Sequence, residues 1–228
     1  MMDEKEIIKQ KEKRKKMLLI ALFVVVGIFV VFGLTVVILS GVKNHLQARR
    51  NAEYEKSTNR SYVYPPPDYD LNIFDDSGYL SLDRSIWFND GAMRTVITDE
   101  TFANYTPELQ FMYNVINFII NGNYTEYNKI FTEDYRKKAG DELRERFTMQ
   151  QLYNIELEIV DMSTAGDTVT NTVVSVSYMI RNNNGTFRND LDYNEEAIRS
   201  VVYMLATTGS EIKVTDLMPL SKYSAGLY

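Results

Sequence analysis

The chain has 228 residues, 45% of them hydrophobic and 25% charged, with a formal net charge of −6, a length that suits one domain with extensions or two small ones. It contains no Cys and one His, which excludes a disulfide scaffold, thiolate metal and cluster sites, a cysteine nucleophile and multi-histidine metal sites. These averages conceal three unlike zones: a polar, basic stretch over 1–16, an apolar stretch over 17–42, and an acidic remainder rich in Tyr, Asn and Asp.

Residues 17–39 read MLLIALFVVVGIFVVFGLTVVIL, without a charge. At about 1.5 Å per residue such a run crosses the ~30 Å hydrocarbon core with room for tilt. A signal peptide has an apolar region of roughly 7–15 residues followed by a small-residue cleavage site. This run is longer, and Ser40-Gly41-Val42 is a weak cleavage signal, so an uncleaved transmembrane helix is predicted over 17–42. Lys9, Lys11, Lys13, Arg14, Lys15 and Lys16 precede it, against Lys43, Arg49 and Arg50 beyond it. That bias predicts a single-pass protein of the cell membrane, with a cytoplasmic tail over 1–16 and an extracytoplasmic remainder. Gly27 and Gly33 form no GxxxG face, so the helix itself makes no case for dimerisation; the oligomeric state stays open.

Residues 44–228 carry 17 Lys+Arg against 27 Asp+Glu, a net charge of −10. A surface this acidic argues against nucleic acid, whose binding needs basic residues to displace counterions. Exported eukaryotic domains often rely on disulfides, so an exported domain without Cys points to a bacterial protein. Residues 43–67 read as a stalk or linker, stiffened by Pro65-Pro66-Pro67. Residues 68–104 read as an extension containing a hairpin: Ile86-Trp87-Phe88 and the apolar run at 93–97 flank Asn89-Asp90-Gly91. An isolated hairpin is marginal in water, so it is expected to pack on the domain that follows.

That domain is predicted over 105–228. Thr106-Pro107-Glu108 supplies a cap, a proline at the first helical position and an early acid, and Leu109, Met112, Ile116, Ile119 and Ile120 recur at helical spacing up to Gly122. Asn123 and Glu126 start a second helix facing inward through Tyr127, Ile130 and Phe131. Thr132 to Tyr135 reads as a further cap and turn, and a third helix is predicted after Gly140 through Leu143, Phe147 and Leu152. The period then becomes two. Strands are predicted around Ile155, Leu157 and Ile159, around Val174 to Ile180, from Thr186 to Tyr193, from Ile198 to Thr207 and from Glu211 to Met218. The expected fold class is α+β: transmembrane helix, stalk, then three helices packed on a curved antiparallel sheet in a cone-like arrangement.

The long first helix ending FIINGNY (Phe118 to Tyr124), the IFTEDYRK segment (Ile130 to Lys137) and the strand meander behind them resemble the cone-shaped superfamily named after nuclear transport factor two, over about residues 105–220. Behind one membrane helix, this arrangement is similar to the bitopic scaffold component of type IV secretion and conjugation machines, and to small anchored Gram-positive proteins of that fold. The superfamily includes enzymes, ligand-binding proteins and assembly modules, so the resemblance alone selects no function.

The chemistry on offer is sparse. His45 falls in the stalk. Asp68, Asp70 and Asn72 begin like a calcium loop, but its sixth and twelfth positions are Ile73 and Tyr79; Asp190, Asp192 and Asn194 fail likewise with Glu195 and Val201. No metal site, cofactor or catalytic residue is therefore expected. Tyr113, Tyr127, Tyr135, Tyr178 and Tyr203 are candidates to line a pocket. A raised-pKa carboxylate beside a phenol can move protons, but Glu126 and Asp134 sit at helix starts, where capping explains them. The expected function is non-enzymatic: a membrane-anchored extracytoplasmic protein-binding or assembly module, a scaffold component of a secretion or conjugation machine whose partners are other envelope proteins. Trp87, Tyr223 and Tyr228 are its candidate contact residues, since Tyr and Trp favour interfaces. The alternative is a small-ligand domain, sensory or enzymatic, that uses the cone pocket. An open pocket with inward Asp, Glu or Tyr favours the alternative; a cavity filled by Leu, Ile and Phe favours docking.

Overall fold

In the computed structural model, which describes residues 62–140, 143–165 and 169–226, side-chain caps set the start of each central helix. Thr106 Oγ1 accepts from the Leu109 amide, Asn123 Oδ1 from Glu126, and Thr132 Oγ1 from Tyr135, each satisfying an amide that the first helical turn leaves open. Helix α1 is Ser77–Leu80, α2 Pro107–Ile120, α3 Tyr124–Lys129, α4 Glu133–Ala139 and α5 Leu220–Ser224. The predicted apolar stripe of α2 is its buried face: Leu109, Met112, Val115, Ile116, Ile119 and Ile120 are all inside. Gly122 ends α2 at φ +64°, and a Cβ there would lie 2.7 Å from the Met149 amide nitrogen; only glycine meets both demands.

Six strands form one sheet: β1 Ile86–Asn89, β2 Arg94–Ile97, β3 Gln151–Ala165, β4 Val169–Arg181, β5 Arg199–Thr208 and β6 Glu211–Pro219, in the order β2-β1-β3-β4-β5-β6. The inner face carries Ile155, Leu157, Val174, Val176, Tyr178, Ile180, Val201, Tyr203 and Leu205, packed with α2 in the main core. A smaller cluster on the other face, Val173, Val202 and Met218, is covered by Leu220 and Tyr223 of α5.

The expected fold class needs correction in three places. The sheet is mixed, not antiparallel: β1 lies parallel to β3, pairing Ile86 with Ile155 and Phe88 with Leu157. Period-two patterning within 155–218 identifies the antiparallel meander, but it is silent on the β1–β2 hairpin. The chain leaves that hairpin, runs through α2 to α4 and returns in the same direction, as a parallel pairing requires.

The third helix is α4, which begins at the Thr132 cap and ends where Gly140 takes φ +50°. Leu143 lies in a bend, Phe147 in an irregular segment and Leu152 in β3. Phe147 is buried by edge-on contacts with Tyr124, Tyr127 and Phe187, so its spacing from Leu143 is not a helical face. Residues 186–193 form no strand: β4 pairs directly with β5, Tyr178 opposite Arg199. The Leu191 carbonyl, which a strand would offer to a neighbouring amide, accepts from Tyr64 Oη and Asn183 Nδ2 instead.

The transmembrane helix expected over 17–42, and Tyr228, lie outside the described residues. Among the described residues, no helix is long and apolar enough to cross a membrane. The last residues before Pro65 rest on the domain: the Tyr64 ring covers Gly185, where a Cβ would lie 2.4 Å away, and Tyr62 Oη donates to Glu195. The predicted hairpin adds β1 and β2 to one edge of the sheet.

Candidate functional site

Four of the five candidate pocket tyrosines converge. Tyr127 of α3, Tyr135 of α4, Tyr178 of β4 and Tyr203 of β5 line one cleft of about 380 Å³. Tyr178 and Tyr203 come from neighbouring strands, with inward positions set by strand parity. Tyr127 and Tyr135 project from the two capped helices that cross the same face. The Tyr127 and Tyr203 hydroxyls meet at 3.5 Å. Tyr127 also packs edge-on against Phe131, Phe147 and Phe187 at 5.2–5.8 Å between centroids, and Tyr135 stacks on Phe131 at 4.9 Å. The fifth, Tyr113, faces a separate hollow with Leu82, Arg84 and Ile97 and donates to Asp99.

The rest of the cleft lining combines charged and apolar residues. Arg188 reaches Asp190 through Nε and Nη2 at 3.0 and 3.1 Å, and Arg199 Nη1 reaches the same carboxylate at 2.8 Å. Arg188 is 6% exposed and Asp190 8%. The Arg188 guanidinium also sits 5.7 Å from the Tyr178 ring centroid. Arg144 lines the same opening, and Phe187, Val201, Leu217, Met218 and Pro219 supply apolar surface.

The electrostatics define what these groups can do. Burial pushes the Tyr127, Tyr178 and Tyr203 phenols above their ordinary value, because an ionised phenolate would lose its hydration. They are neutral hydrogen-bond donors and acceptors at physiological pH. Burial alone would raise the Asp190 carboxyl, but its hydrogen bonds to Arg188 and the charges of Arg199 and Arg188 hold it below the ordinary carboxylate range. Asp190 is thus an ionised, fully engaged counter-ion. A general acid needs a proton and a general base a free lone pair near neutral pH, and this carboxylate has neither. Glu126 is paired with Lys129 at 2.6 Å and Asp134 is exposed; neither lines the cleft.

The other candidates lie elsewhere. Trp87 is half-buried on β1, its indole N–H donates to Asp83 at 2.9 Å, and the Arg94 guanidinium sits 4.3 Å above its ring. Tyr223 packs on the Val173, Val202 and Met218 cluster. Asp68 accepts from the Asp70 amide in a local turn, and Asn72 caps the turn at 73–75. Among the described residues, no group of three or more His, Cys, Asp or Glu is placed to hold a metal ion.

Arg188, Arg199, Arg144 and Phe187 were not among the sequence candidates. One signal was there to find Arg199: it shares strand parity with Val201, Tyr203 and Leu205, so a cation on that face must be buried and paired. Arg188 carried no such signal, because the loop that places it has no period. The fold and the cleft together define a class: an α+β domain with α2 to α4 on one face of a six-stranded mixed sheet, the short α5 on the other, and an aromatic, arginine-bearing cleft. Compared with known proteins, the chain matches no family model, no curated protein and no solved structure.

Proposed function

We propose that this chain is a membrane-anchored, extracytoplasmic domain that binds a small molecule in the tyrosine-lined cleft. The observation that carries the reading is the cleft itself: an opening of about 380 Å³ at which Tyr127, Tyr135, Tyr178 and Tyr203 converge with Arg188, Arg199 and Asp190. Ligand sites are concave, largely apolar and carry a few convergent polar groups. The anchor in this proposal is the uncharged run at 17–39, and its basic flank supports an outward-facing domain. Docking of envelope proteins has less support, since many of the tyrosines that suggested an interface are inside: Tyr79, Tyr127, Tyr135, Tyr153, Tyr178 and Tyr203 are buried. Trp87 and Tyr223 are engaged within the domain.

The test is a thermal-shift screen of the full chain in neutral detergent against a chemically mixed library of small metabolites. The variant Leu217→Trp, which fills the cleft from the half-buried edge strand, is run in parallel. Compounds that stabilise the parent chain but not Leu217→Trp support the reading. A screen in which nothing stabilises the parent, or in which every hit survives Leu217→Trp, removes it.

A further inference from the structure

We infer that the ligand of this cleft is a small organic anion whose acid group pairs with Arg144; this rests on the reading of the cleft as a small-molecule site. Arg144 stands out among the described arginines. Arg94, Arg181, Arg188 and Arg199 each pair with a carboxylate. Arg84 and Arg146 lie over aromatic rings, and Arg136 is exposed on α4. Arg144 is half-buried in the cleft lining, and among the described residues it neither pairs with an acid nor lies over a ring. Its guanidinium nitrogens make no hydrogen bond there, and none of them is closed to solvent. A planar fork of five N–H donors is therefore open to a partner. A half-buried charge without a counter-charge gives up hydration that only such a partner restores.

The backbone that carries this group is held in place. Asn128 of α3 donates through Nδ2 to the Arg144 and Glu145 carbonyls, each at 3.2 Å. Phe147, close behind in the chain, is buried against Tyr124, Tyr127 and Phe187. A donor on an ordered backbone loses less freedom when it meets a ligand.

The second observation is a local reversal of charge. Residues 44–228 carry a net charge of −10, yet the cleft lining presents Arg144, Arg188 and Arg199 against one carboxylate, Asp190. Arg188 and Arg199 are both bonded to Asp190, so they count here as charge, and Arg144 supplies the donors. A cleft lined by one sign of charge concentrates the opposite sign, so this opening draws anions on a domain that otherwise repels them. Asn189, exposed on the same lining, adds a neutral amide donor. A guanidinium fork receives a carboxylate or a phosphate through paired N–H···O bonds. The chemistry these heads share is an oxyanion on a small organic body, and the probes below separate them.

The test uses the full chain in neutral detergent and three probes that share a phenyl group: phenylacetate, phenyl phosphate and the neutral phenylacetamide, each titrated calorimetrically. At least one of the two acids is expected to bind saturably and about tenfold or more tighter than the amide, the factor that one charge-assisted hydrogen bond supplies. The tighter acid identifies the head group. Arg144→Gln should erase the preference and leave the amide unchanged. It breaks no pair in the fold, so its melting temperature should match the parent's. Arg136→Gln removes a charge outside the lining and should leave the acids unchanged. Leu217→Trp should block the acids. An amide that binds as tightly as both acids overturns the inference, as does a preference that survives Arg144→Gln or is lost equally with Arg136→Gln; each of these leaves the small-molecule reading standing. Acid binding that survives Leu217→Trp lies outside the cleft and overturns it as well. Absence of binding by all three probes also overturns it, while the library screen still judges the cleft.

Discussion

Among the described residues, Asp76 and Asp190 pair with arginine, and their surroundings set them apart. Asp76 sits at the start of α1, pairs with Arg181 and accepts from the Gly78 and Tyr79 amides, and its side chain remains about one-third exposed at 32%. Asp190 lies between Arg188 and Arg199, and its side chain is 11% exposed. Desolvation pushes both carboxyls up, and partners hold both below the ordinary value: hydrogen bonds from Tyr79, Gln151, Arg181 and Gly78 for Asp76, and Arg188 and Arg199 for Asp190. The chemistry is alike, but water is present at one site and excluded at the other. Water screens the first pair and would solvate either partner if the other were lost. At the second, loss of the carboxylate takes the counter-ion from the buried Arg188 guanidinium.

The largest expected effect tests that contrast directly. Asp190→Asn removes the one counter-charge that Arg188 has among the described residues, and it should lower unfolding free energy by about 3–5 kcal/mol, as for other buried pairs broken on one side. Denaturant titration of the full chain in detergent measures it. A loss no greater than that of Asp76→Asn would mean that Arg188 and Arg199 are solvated and that the cleft floor is open to water.

Acid should separate the sites next. A carboxyl whose folded pKa is depressed contributes stability above its unfolded value, about 4, and that stability is lost as pH falls through the folded value. Both aspartates therefore predict weakening below about pH 4. Asp190→Asn should flatten that acid limb more than Asp76→Asn does, as followed by melting temperature against pH.

The phenols predict the opposite limb. A group with a raised folded pKa contributes stability that is complete below its unfolded value, about 10 for tyrosine, and is lost as pH rises through the folded value. Tyr127, Tyr178 and Tyr203 are raised in this way. Tyrosinate absorbance should therefore show an early phase from exposed residues and a late phase coincident with unfolding. A single early phase would contradict their burial. Tyr203→Phe, which deletes one half of the hydroxyl pair, should cost about 1 kcal/mol. Asp76→Asn should have the smallest effect, with α1 still capped through the remaining amide-type oxygen.

Local signals were readable in the chain wherever neighbours in sequence carry the physics. Thr106, Asn123 and Thr132 start helices because a cap needs only the next three residues. Asn89-Asp90-Gly91 turns β1 into β2 because Gly91 takes φ +86° there. Strand parity placed Tyr178 and Tyr203 on one face, and helix periodicity placed Tyr127 toward it. Tyr113 has the same residue type on the same kind of helix, but it lies on a flank of α2 that opens toward Asp99. Residues 186–193 read as a strand because Phe187 and Leu191 mimic alternation, and they form none. Side chains satisfy that segment's backbone, so no strand period applies.

What the sequence determined by itself is α2, α3 and the strands β3 to β6 with their inner faces, the hairpin around Trp87, and the acidic balance beyond the apolar run. Each depends on interactions within a few residues or on composition. Tertiary structure alone decided the parallel seam between β1 and β3, the start and end of the third helix, and the meeting of Arg188, Asp190 and Arg199 under four tyrosines. Those features join residues far apart in the chain, and their energy comes from desolvation and charge pairing, which no local pattern records. The candidate site belongs to that second group: its phenols were visible as residues on faces, but its cations became part of a site only when the loop folded over the sheet.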